Sequence, residues 1–360
     1  MFAVGIPTFN EADNISRLVL NIDSAAEKLG IDIVIINSDN DSPDKTSEIF
    51  RSIDTHCSKI SLLTHEKGKG RNIFRILEEA SSLSGLEGLA LVDGDVTSFN
   101  SDWLKNFYAS VAKCNYDFVI PVYSRNWQEG NATNHFFYPQ LYAFTNGHAP
   151  RQPICGDFAL SVKLAEHLLK LRRNEYMYEY GIDILLTLHA MSGIFKVCEI
   201  ELGRKIHKPS FGKMTKIFIG EASCWYETIK NISVTGINNG AGIVQNFHEP
   251  EKRISDTEIN ERISLARDVY FEGRSLIQIN PPESFRLSAS EWVNVMAEHL
   301  RIINHYSGEE LAQSVLPWYL MRAGTYLSEA GSAGNAKIII LSEAEMMREI
   351  YSGGFLRMNS

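Results

Sequence analysis

The sequence lacks several features that would place it in a well-known class of proteins. It contains no apolar run close to the ~20 residues that a membrane-spanning helix needs. Positive charge is not in excess either, because 44 acidic against 35 basic residues give a formal net charge of −9. Proteins that bind nucleic acids normally present a basic face. We therefore expect no integral membrane segment and no nucleic-acid partner.

Cysteine is scarce and follows no pattern. The five cysteines show neither C-x-x-C nor a Cys/His spacing that would indicate a zinc site, and their number is odd. A strand-like segment begins at Phe2, which leaves no room for a signal peptide. These features predict reduced thiols and a cytoplasmic location.

Two glycine-rich nucleotide motifs are also absent. No G-x-G-x-x-G follows the first predicted strand, which disfavours a dinucleotide site. The stretch "EKGKGRN" at 66–72 opens a helix with glycine and lysine, and a helix start of this kind can approach a phosphate. Its spacing is not that of G-x-x-x-x-G-K-[ST].

What the sequence does contain is a regular alternation of short apolar strands and amphipathic helices over its first ~125 residues. This alternation predicts an α/β fold with a doubly wound, mostly parallel sheet. Beyond ~250 the pattern is helical apart from "AKIIIL" at 336–341. We expect a ligand-binding domain over residues 1–245 and an appended C-terminal helical region over 246–360.

Polar clusters follow the predicted strands, at the carboxyl ends where open α/β sheets bind ligands. "PTFNE" follows the first strand, "SDNDSPDKT" the second and "HEKGKGR" the third. In "LALVDGDVTSFN" the fourth strand ends at Asp93 and Asp95, and Gly94 between them permits a turn that brings both carboxylates to one point. Paired carboxylates suit Mg²⁺ or Mn²⁺. The alternative is a polar strand end with an Asx turn.

In this order the clusters resemble the nucleotide-sugar glycosyltransferases of the GT-A fold. The opening resembles the family-2 pattern P-x-x-N-E followed by D-[DS]-G-S-x-D-x-T, although Asn40 and Asp41 depart from it. "QPICGDFALS", "YGIDILLTLHA" and "ELGRKIHKPS" resemble segments of the retaining enzymes that make glucosyl-3-phosphoglycerate or mannosylglycerate. The resemblance covers roughly residues 2–230 and implies a GT-A-type sheet.

The resemblance implies a donor site for a nucleotide sugar, UDP-glucose or GDP-mannose. Asp93, Asp95 and His207 would hold Mg²⁺ or Mn²⁺ against the diphosphate. A surface or structural histidine is the alternative for His207. Lys69 would lie near the diphosphate. The resemblance assigns nucleotide-sugar binding to Pro7, Phe9, Asn10, Glu11, Asp39, Lys69, Asp93 and Gly94.

The resemblance also implies an acceptor site and a set of catalytic residues. Gly130 and Thr133 match G-R-V-T, but Asn131 stands where those families have arginine. Positive charge for an anionic acceptor is then expected from Lys205, Arg125 or Arg151. The implied acceptor-binding residues are Gly130, Asn131, Thr133 and Lys205, and the implied catalytic residues are Asp95, Asp157 and Asp183.

The expected function is metal-dependent transfer of a hexose, with retention, from a nucleotide-diphosphate sugar to a small anionic acceptor such as glycerate or 3-phosphoglycerate. Two alternatives stay open. One is an inverting family-2 enzyme that acts on a polyprenyl phosphate or a glycan, and the other is a nucleotidyltransferase. The C-terminal helices are expected to supply packing surface or a homodimer contact.

Overall fold

The computed structural model describes residues 1–208, 214–237, 247–273 and 275–355. These residues form two compact units. The first contains Met1–Tyr123 and 154–208, and the second contains Ser124–Pro153, 214–237, 247–273 and 275–355. In the described part of the chain, no helix combines the length and the apolar character that crossing a membrane requires.

The first unit alternates strands and helices as the sequence predicts. Its strands are β1 (Phe2–Thr8), β2 (Ile33–Asp39), β3 (Ser58–Leu63), β4 (Leu89–Leu91), β5 (Phe118–Asn126), β6 (Phe158–Leu160) and β7 (Val197–Arg204). Its helices are α1 (Ile15–Leu29), α2 (Thr46–Ser52), α3 (Lys69–Ser82), α4 (Ser101–Tyr108), α6 (Val162–Leu169), α7 (Glu175–Tyr178) and α8 (Ile182–Ala190), and a π-helical turn (Ala109–Lys113) follows α4.

These strands form one sheet in the order β3-β2-β1-β4-β6-β5-β7. The strands β1 to β4 are parallel, with Val4 opposite Ile35 and Gly5 opposite Leu91. The strand β6 runs antiparallel to both β4 and β5. The predicted mostly parallel α/β sheet is therefore confirmed. Because β1, β2 and β4 run in one direction, their carboxyl ends meet at the same edge of the sheet.

Local sequence explains how these elements begin and end. The strand β2 is fully buried and rich in β-branched residues, as expected for a strand covered on both faces. The helix α1 ends at Gly30, which has a left-handed backbone that favours glycine. The helix α4 begins after Asn100, whose side chain accepts hydrogen bonds from the backbone amides of Asp102 and Trp103.

The second unit is helical. Its helices are α5 (Tyr138–Phe144), α9 (Met214–Ile229), α10 (Asp256–Glu272), α11 (Ala289–Arg301), α12 (Gly308–Ala330) and α13 (Ala333–Ile350). A π-helical turn (Thr133–Phe137) leads into α5, another (Tyr351–Phe355) follows α13, and Ile303–His305 form a 3₁₀ turn. Arg125 and Asn126, the last residues of β5, belong to this unit and pair in parallel with β8 (Phe247–His248).

The division into units differs from the predicted boundary at residue 245. The segments 124–153 and 214–237 belong to the helical unit, because α5 packs against α13 and α9 packs against α12. Apolar burial joins these helices: Phe218 of α9 stacks on Tyr319 of α12 with ring centroids 4.1 Å apart. The run "AKIIIL" is part of α13, where Ala336, Ile340 and Ala344 are buried along one face.

Candidate functional site

A tight turn follows β4 and carries the two aspartates of the D-x-D sequence. The backbone amide of Val96 donates to the carbonyl of Asp93 at 3.1 Å, which closes the turn. Asn14 stabilises it from α1's amino end, since its side-chain amide donates to the carbonyls of Gly94 and Val96 at 2.8 and 2.9 Å. A Cβ on Gly94 would lie 2.7 Å from Thr8 Cγ2, so the turn packs directly against the end of β1.

Asp93 is paired with a lysine at each of its carboxylate oxygens. Lys69 Nζ lies 2.9 Å from Oδ1, and Lys205 Nζ lies 3.0 Å from Oδ2. Burial disfavours the charged form, but Lys205 and Lys69 outweigh it and hold the pKa of Asp93 well below its usual value. Asp93 is thus an ionised carboxylate whose negative charge is already compensated by the protein.

Lys69 also connects Asp93 to Asp183 in the first turn of α8. Its Nζ atom lies 2.9 Å from Asp183 Oδ2 as well. Asp183 Oδ1 is buried and has no hydrogen-bond partner among the described residues. Burial raises the pKa of Asp183, and Lys69 opposes this shift. Asp183 therefore offers a buried acceptor atom, and the structure brings the three predicted residues Lys69, Asp93 and Asp183 together.

Asp157 lies behind the D-x-D turn. Its Oδ1 accepts a hydrogen bond from the backbone amide of Asp93 at 2.8 Å. Its Oδ2 lies 2.7 Å from Lys205 Nζ and accepts from the hydroxyl of Tyr123 at 2.8 Å. Asp157 is fully buried. A Cβ on Gly156, the preceding residue, would overlap Asp93 Oδ2, so only glycine permits this approach.

Asp95 has different surroundings from Asp93. Among the described residues no lysine or arginine forms an ion pair with it, and its neighbour is His207, whose Nδ1 lies 3.9 Å from Asp95 Oδ2. Burial raises the pKa of Asp95, and the negative charge of Asp93 adds to this shift. His207 Nδ1 also lies 2.8 Å from the carbonyl of Lys208. If that nitrogen carries the proton, Nε2 is left as an acceptor.

The predicted metal triple is not assembled as three ligands. In the described parts of the chain, no three His, Cys, Asp or Glu side chains cluster as a metal site. Asp93 is paired with two lysines, whereas the ionic neighbour of Asp95 in the described residues is His207. A carboxylate oxygen beside an imidazole nitrogen fits a divalent cation. Mg²⁺ sites often use one or two carboxylates and complete their coordination with substrate phosphates and water.

The residues predicted to frame the nucleotide lie at the ends of β1 and β2. Asp39 is buried and accepts hydrogen bonds from Thr8 Oγ1 at 2.8 Å and Ser42 Oγ at 2.7 Å. Pro7 is also buried, whereas Asn10 is exposed and has a left-handed backbone. The Nζ atom of Lys67 lies over the ring of Phe9, 4.8 Å from the ring centroid.

Glu11 pairs with Lys208 at 2.7 Å. Burial raises its pKa to about 6 in spite of that lysine. The Nζ atom of Lys208 also lies 2.7 Å from Asp13 Oδ1, so this lysine links the segment after β7 to the segment after β1.

The predicted acceptor residues do not fall in one unit. Gly130, Asn131 and Thr133 belong to the second unit, where Thr133 begins the π-helical turn. Lys205 belongs to the first, with its ammonium held by Asp93 and Asp157. The geometry therefore does not support Lys205 as a ligand of an anionic acceptor, since its charge is used inside the protein.

Sequence reasoning missed Asn14, Tyr123 and Lys208. Each is distant in sequence from the residue it contacts, so its role could not be predicted from spacing. Tyr123 lies in an apolar strand, where a tyrosine is usually a core residue. Asn14 was visible only as part of a helix start.

Comparison with known proteins relates the amino-terminal part of the chain to a family of enzymes. Residues 3–165 match the family model described as Glycosyl transferase family 2. This part of the chain is similar to family 2 glycosyltransferase domains. The match ends before Asp183, Lys205 and His207, so it does not bear on those three residues.

Two crystal structures of glucosyl-3-phosphoglycerate synthase from Mycobacterium tuberculosis show the same fold. The structure in complex with Mg²⁺ and uridine-diphosphate is 18% identical to this chain and has a TM-score of 0.50. The alignment covers 63% of this chain and 79% of the synthase chain. The structure in complex with phosphoglyceric acid is 18% identical, with coverage of 65% and 80% and a TM-score of 0.51. The predicted GT-A-type fold is confirmed.

A shorter match connects the domain to a further glycosyltransferase. The dolichol-phosphate mannosyltransferase of Pyrococcus furiosus is 38% identical over 80 residues. The aligned segment spans 22% of that protein and 22% of this chain. This likeness supports the family 2 domain and is too short to extend to the whole chain.

Proposed function

We propose that the chain is a metal-dependent glycosyltransferase that moves a hexose from a nucleoside-diphosphate sugar to a small anionic acceptor. The observation that carries this proposal is the contrast between the two aspartates of the D-x-D turn. Two lysines compensate Asp93, whereas Asp95 is half-buried beside His207 without a lysine or arginine partner among the described residues. A site with this charge pattern calls for a cation from outside the protein.

The charges of the site fit one divalent ion. Asp93, Asp95, Asp157 and Asp183 share the site with Lys69 and Lys205, so two negative charges stay uncompensated when all six groups are ionised. Asp95 and His207 would hold Mg²⁺ or Mn²⁺, and the diphosphate of the donor would complete the coordination. When bound, the ion neutralises the charge that develops on the leaving diphosphate.

The protein's own residues have separate tasks in this proposal. Asp183 Oδ1, buried and without a protein partner in the described residues, would accept a hydrogen bond from a sugar or acceptor hydroxyl. Lys69 would keep Asp183 and Asp93 ionised and in place. The nucleotide would lie along the ends of β1 and β2, near Phe9 and Asp39. The acceptor roles of Gly130, Asn131 and Thr133 rest on the sequence resemblance.

UDP-glucose and phosphoglycerate are the first compounds to test. The solved relatives contain Mg²⁺ and uridine-diphosphate in one crystal and phosphoglyceric acid in the other. We extend these ligands to this chain as a proposal, with retention of the anomeric configuration and a cytoplasmic location. Residue 131 is asparagine, where the families of the resemblance have an arginine that would bind an anionic group. Glycerate, which has one anionic group, is therefore the second acceptor to test.

A second candidate function is transfer to a polyprenyl phosphate with inversion. The local identity to dolichol-phosphate mannosyltransferase favours it. The anomeric configuration of the product, determined by NMR coupling constants, distinguishes the two. Release of pyrophosphate instead of a nucleoside diphosphate would identify a nucleotidyltransferase.

The decisive experiment is a thermal-shift panel of UDP, GDP, UDP-glucose and GDP-mannose, each with Mn²⁺, with Mg²⁺ and with EDTA. A ligand that binds the folded state raises its stability with the logarithm of concentration over dissociation constant. We expect one nucleotide to raise the melting temperature in the presence of metal and to lose that effect in EDTA. A panel without any metal-dependent shift would refute the proposal.

A further inference from the structure

We propose that Lys205 and Tyr123 are positioning residues that fix Asp157 and, through it, the D-x-D turn in its metal-binding conformation. The sequence resemblance placed Lys205 at the acceptor and Asp157 among the catalytic residues. The geometry assigns both to the interior of the protein. This inference rests on the proposed function of the site and adds the residues that preorganise it.

The ammonium group of Lys205 is saturated by protein atoms. An ammonium has three N–H donors. Three acceptors surround it, namely Asp157 Oδ2 at 2.7 Å, Asp93 Oδ2 at 3.0 Å and the carbonyl oxygen of Cys155 at 2.9 Å. The side chain is 6% exposed. No donor is left for an anionic substrate, so the group acts as an internal counter-ion.

Asp157 is saturated as well. Its Oδ1 accepts from the backbone amide of Asp93, and its Oδ2 accepts from the Tyr123 hydroxyl and faces the Lys205 ammonium. The residue is 0% exposed, which leaves neither oxygen available to a sugar hydroxyl. Among the partners of its carboxylate, Asp93 is the one that belongs to the D-x-D turn. Any effect of Asp157 on the reaction must therefore pass through Asp93.

The result is that Asp93 is held at its backbone and at its carboxylate by one connected group of side chains. Asp157 fixes the amide of Asp93, and Lys205 joins the carboxylates of Asp157 and Asp93. Asp95 follows two residues later in the same closed turn. Residues that orient metal ligands from behind typically change metal affinity by about 10- to 100-fold when they are replaced.

The main readout of the test is metal binding, followed by thermal shift and independent of turnover. Lys205→Met removes the charge and keeps the length, Lys205→Arg restores a cation, and Tyr123→Phe removes one neutral donor to Asp157. The readout is the Mn²⁺ concentration that gives half of the nucleoside-diphosphate-dependent thermal shift. Lys105→Met, at an exposed position of α4, is the matched control. Turnover is measured in parallel, with the KM for the donor separated from kcat.

We expect Lys205→Met to raise the half-maximal Mn²⁺ concentration by about 10- to 100-fold, with partial recovery in Lys205→Arg. Tyr123→Phe, which introduces no buried charge imbalance, should raise it several-fold while the melting temperature without ligand changes little. The KM for the donor should rise more than kcat falls. Lys105→Met should behave as the parent.

Two results would overturn the inference. One is an unchanged Mn²⁺ requirement in both Tyr123→Phe and Lys205→Arg beside a lowered melting temperature, which is the signature of a purely structural role. The other is loss of acceptor affinity in Lys205→Arg with an unchanged Mn²⁺ requirement, which would show that Lys205 binds the acceptor. If the parent protein itself shows no metal-dependent shift, the proposed function fails instead.

Discussion

Asp93 and Asp95 are separated by one glycine, yet the protein neutralises only Asp93. Each oxygen of Asp93 lies within 3.0 Å of a lysine ammonium, whereas the ionic neighbour of Asp95 in the described residues is His207 at 3.9 Å. A half-buried carboxylate without a counter-ion is costly to ionise, which is why its pKa is raised. Binding of a cation at Asp95 would remove that cost.

Replacing Asp95 by asparagine should abolish the metal-dependent part of nucleotide binding. The substitution removes the uncompensated negative charge and keeps the shape of the side chain. We expect the Mn²⁺-dependent thermal shift to disappear and turnover to fall on the order of 10²- to 10³-fold, because the ion supplies several kcal/mol of transition-state stabilisation.

The control for that variant is Asp102→Asn, which replaces an exposed aspartate in the first turn of α4. It should retain both the shift and the turnover of the parent. A metal-dependent shift that persists in Asp95→Asn would show that Asp95 is not a metal ligand.

Gly156→Ala should damage the site more than the fold. Gly156 has a φ of +88°, and an added Cβ would overlap Asp93 Oδ2 and lie 3.0 Å from Lys205 Nζ. Gly203→Ala is a matched control, because its φ is +70° and nothing lies within 4 Å of the added atom. Both variants carry backbone strain of about 1–2 kcal/mol.

We therefore expect similar losses in melting temperature but a higher Mn²⁺ requirement in Gly156→Ala alone. Titration of the nucleotide-dependent thermal shift with Mn²⁺ checks this. An equal Mn²⁺ requirement in the two variants would show that the contact of residue 156 with Asp93 has no influence on the metal.

Asp183→Asn should separate binding from catalysis. Asp183 Oδ1 is buried without a partner in the described residues, so the proposed hydrogen bond to a substrate hydroxyl is its available role. We expect kcat to fall by about 10- to 100-fold, while the nucleotide-dependent thermal shift is largely kept. Steady-state kinetics with saturating donor provide the measurement, and unchanged turnover would remove Asp183 from the reacting centre.

The sequence predicted the part of the site that depends on sheet topology. Parallel strands place their carboxyl ends together, so the strand pattern of the sequence assigns Asp39 and Asp93 to one edge of the sheet. Lys69 followed from its place at the start of α3. The contact of Lys69 with Asp183 could not be predicted from spacing, because 114 positions separate the two residues.

The rest of the fold depended on tertiary packing. The strand β6, which runs antiparallel to β4, has only three residues and is too short to give a periodic signal in the sequence. "AKIIIL" has the composition of a strand, but a helix buries Ala336 and Ile340 on one side and leaves Ile338 exposed on the other. The predicted boundary at 245 differed from the observed units because it ignored the packing of α5 and α9 on later helices.

In the second unit, Glu343 should be important for stability. Glu343 and Arg322 are both fully buried, with Arg322 Nε 2.6 Å from Glu343 Oε1 and His135 Nδ1 2.8 Å from Oε2. Removing one partner of a buried ion pair typically costs about 3–5 kcal/mol. Glu329 Oε2, which lies 2.7 Å from Arg322 Nη1, still compensates part of the arginine charge, so we expect a loss at the lower end of that range.

Glu343→Ala should therefore lower the melting temperature by about 10 °C in calorimetry. Glu349→Ala, at an exposed position of the same helix, should leave it nearly unchanged. A melting temperature for Glu343→Ala equal to that of Glu349→Ala would contradict the importance of this ion pair.

Asp23 should make the stability of the first unit depend on pH in the acid range. Its Oδ1 accepts from the amide of Cys57 at 2.8 Å, and its Oδ2 accepts from the amide of His56 at 3.2 Å. Burial alone would raise the pKa of Asp23, but the hydrogen bonds from Cys57 and His56 outweigh it and lower that pKa to about 2.

Because the folded pKa lies below the unfolded value of 3.8, ionised Asp23 contributes stability above about pH 3.8, and this contribution is lost as the pH falls through about 2. Asp23→Asn should cost about 2 kcal/mol at pH 7 and roughly half of that at pH 3. Urea unfolding at both pH values measures the difference, with the exposed Asp54→Asn as control. A cost that is the same at pH 7 and pH 3 would show that the hydrogen bonds to Asp23 do not depend on its charge.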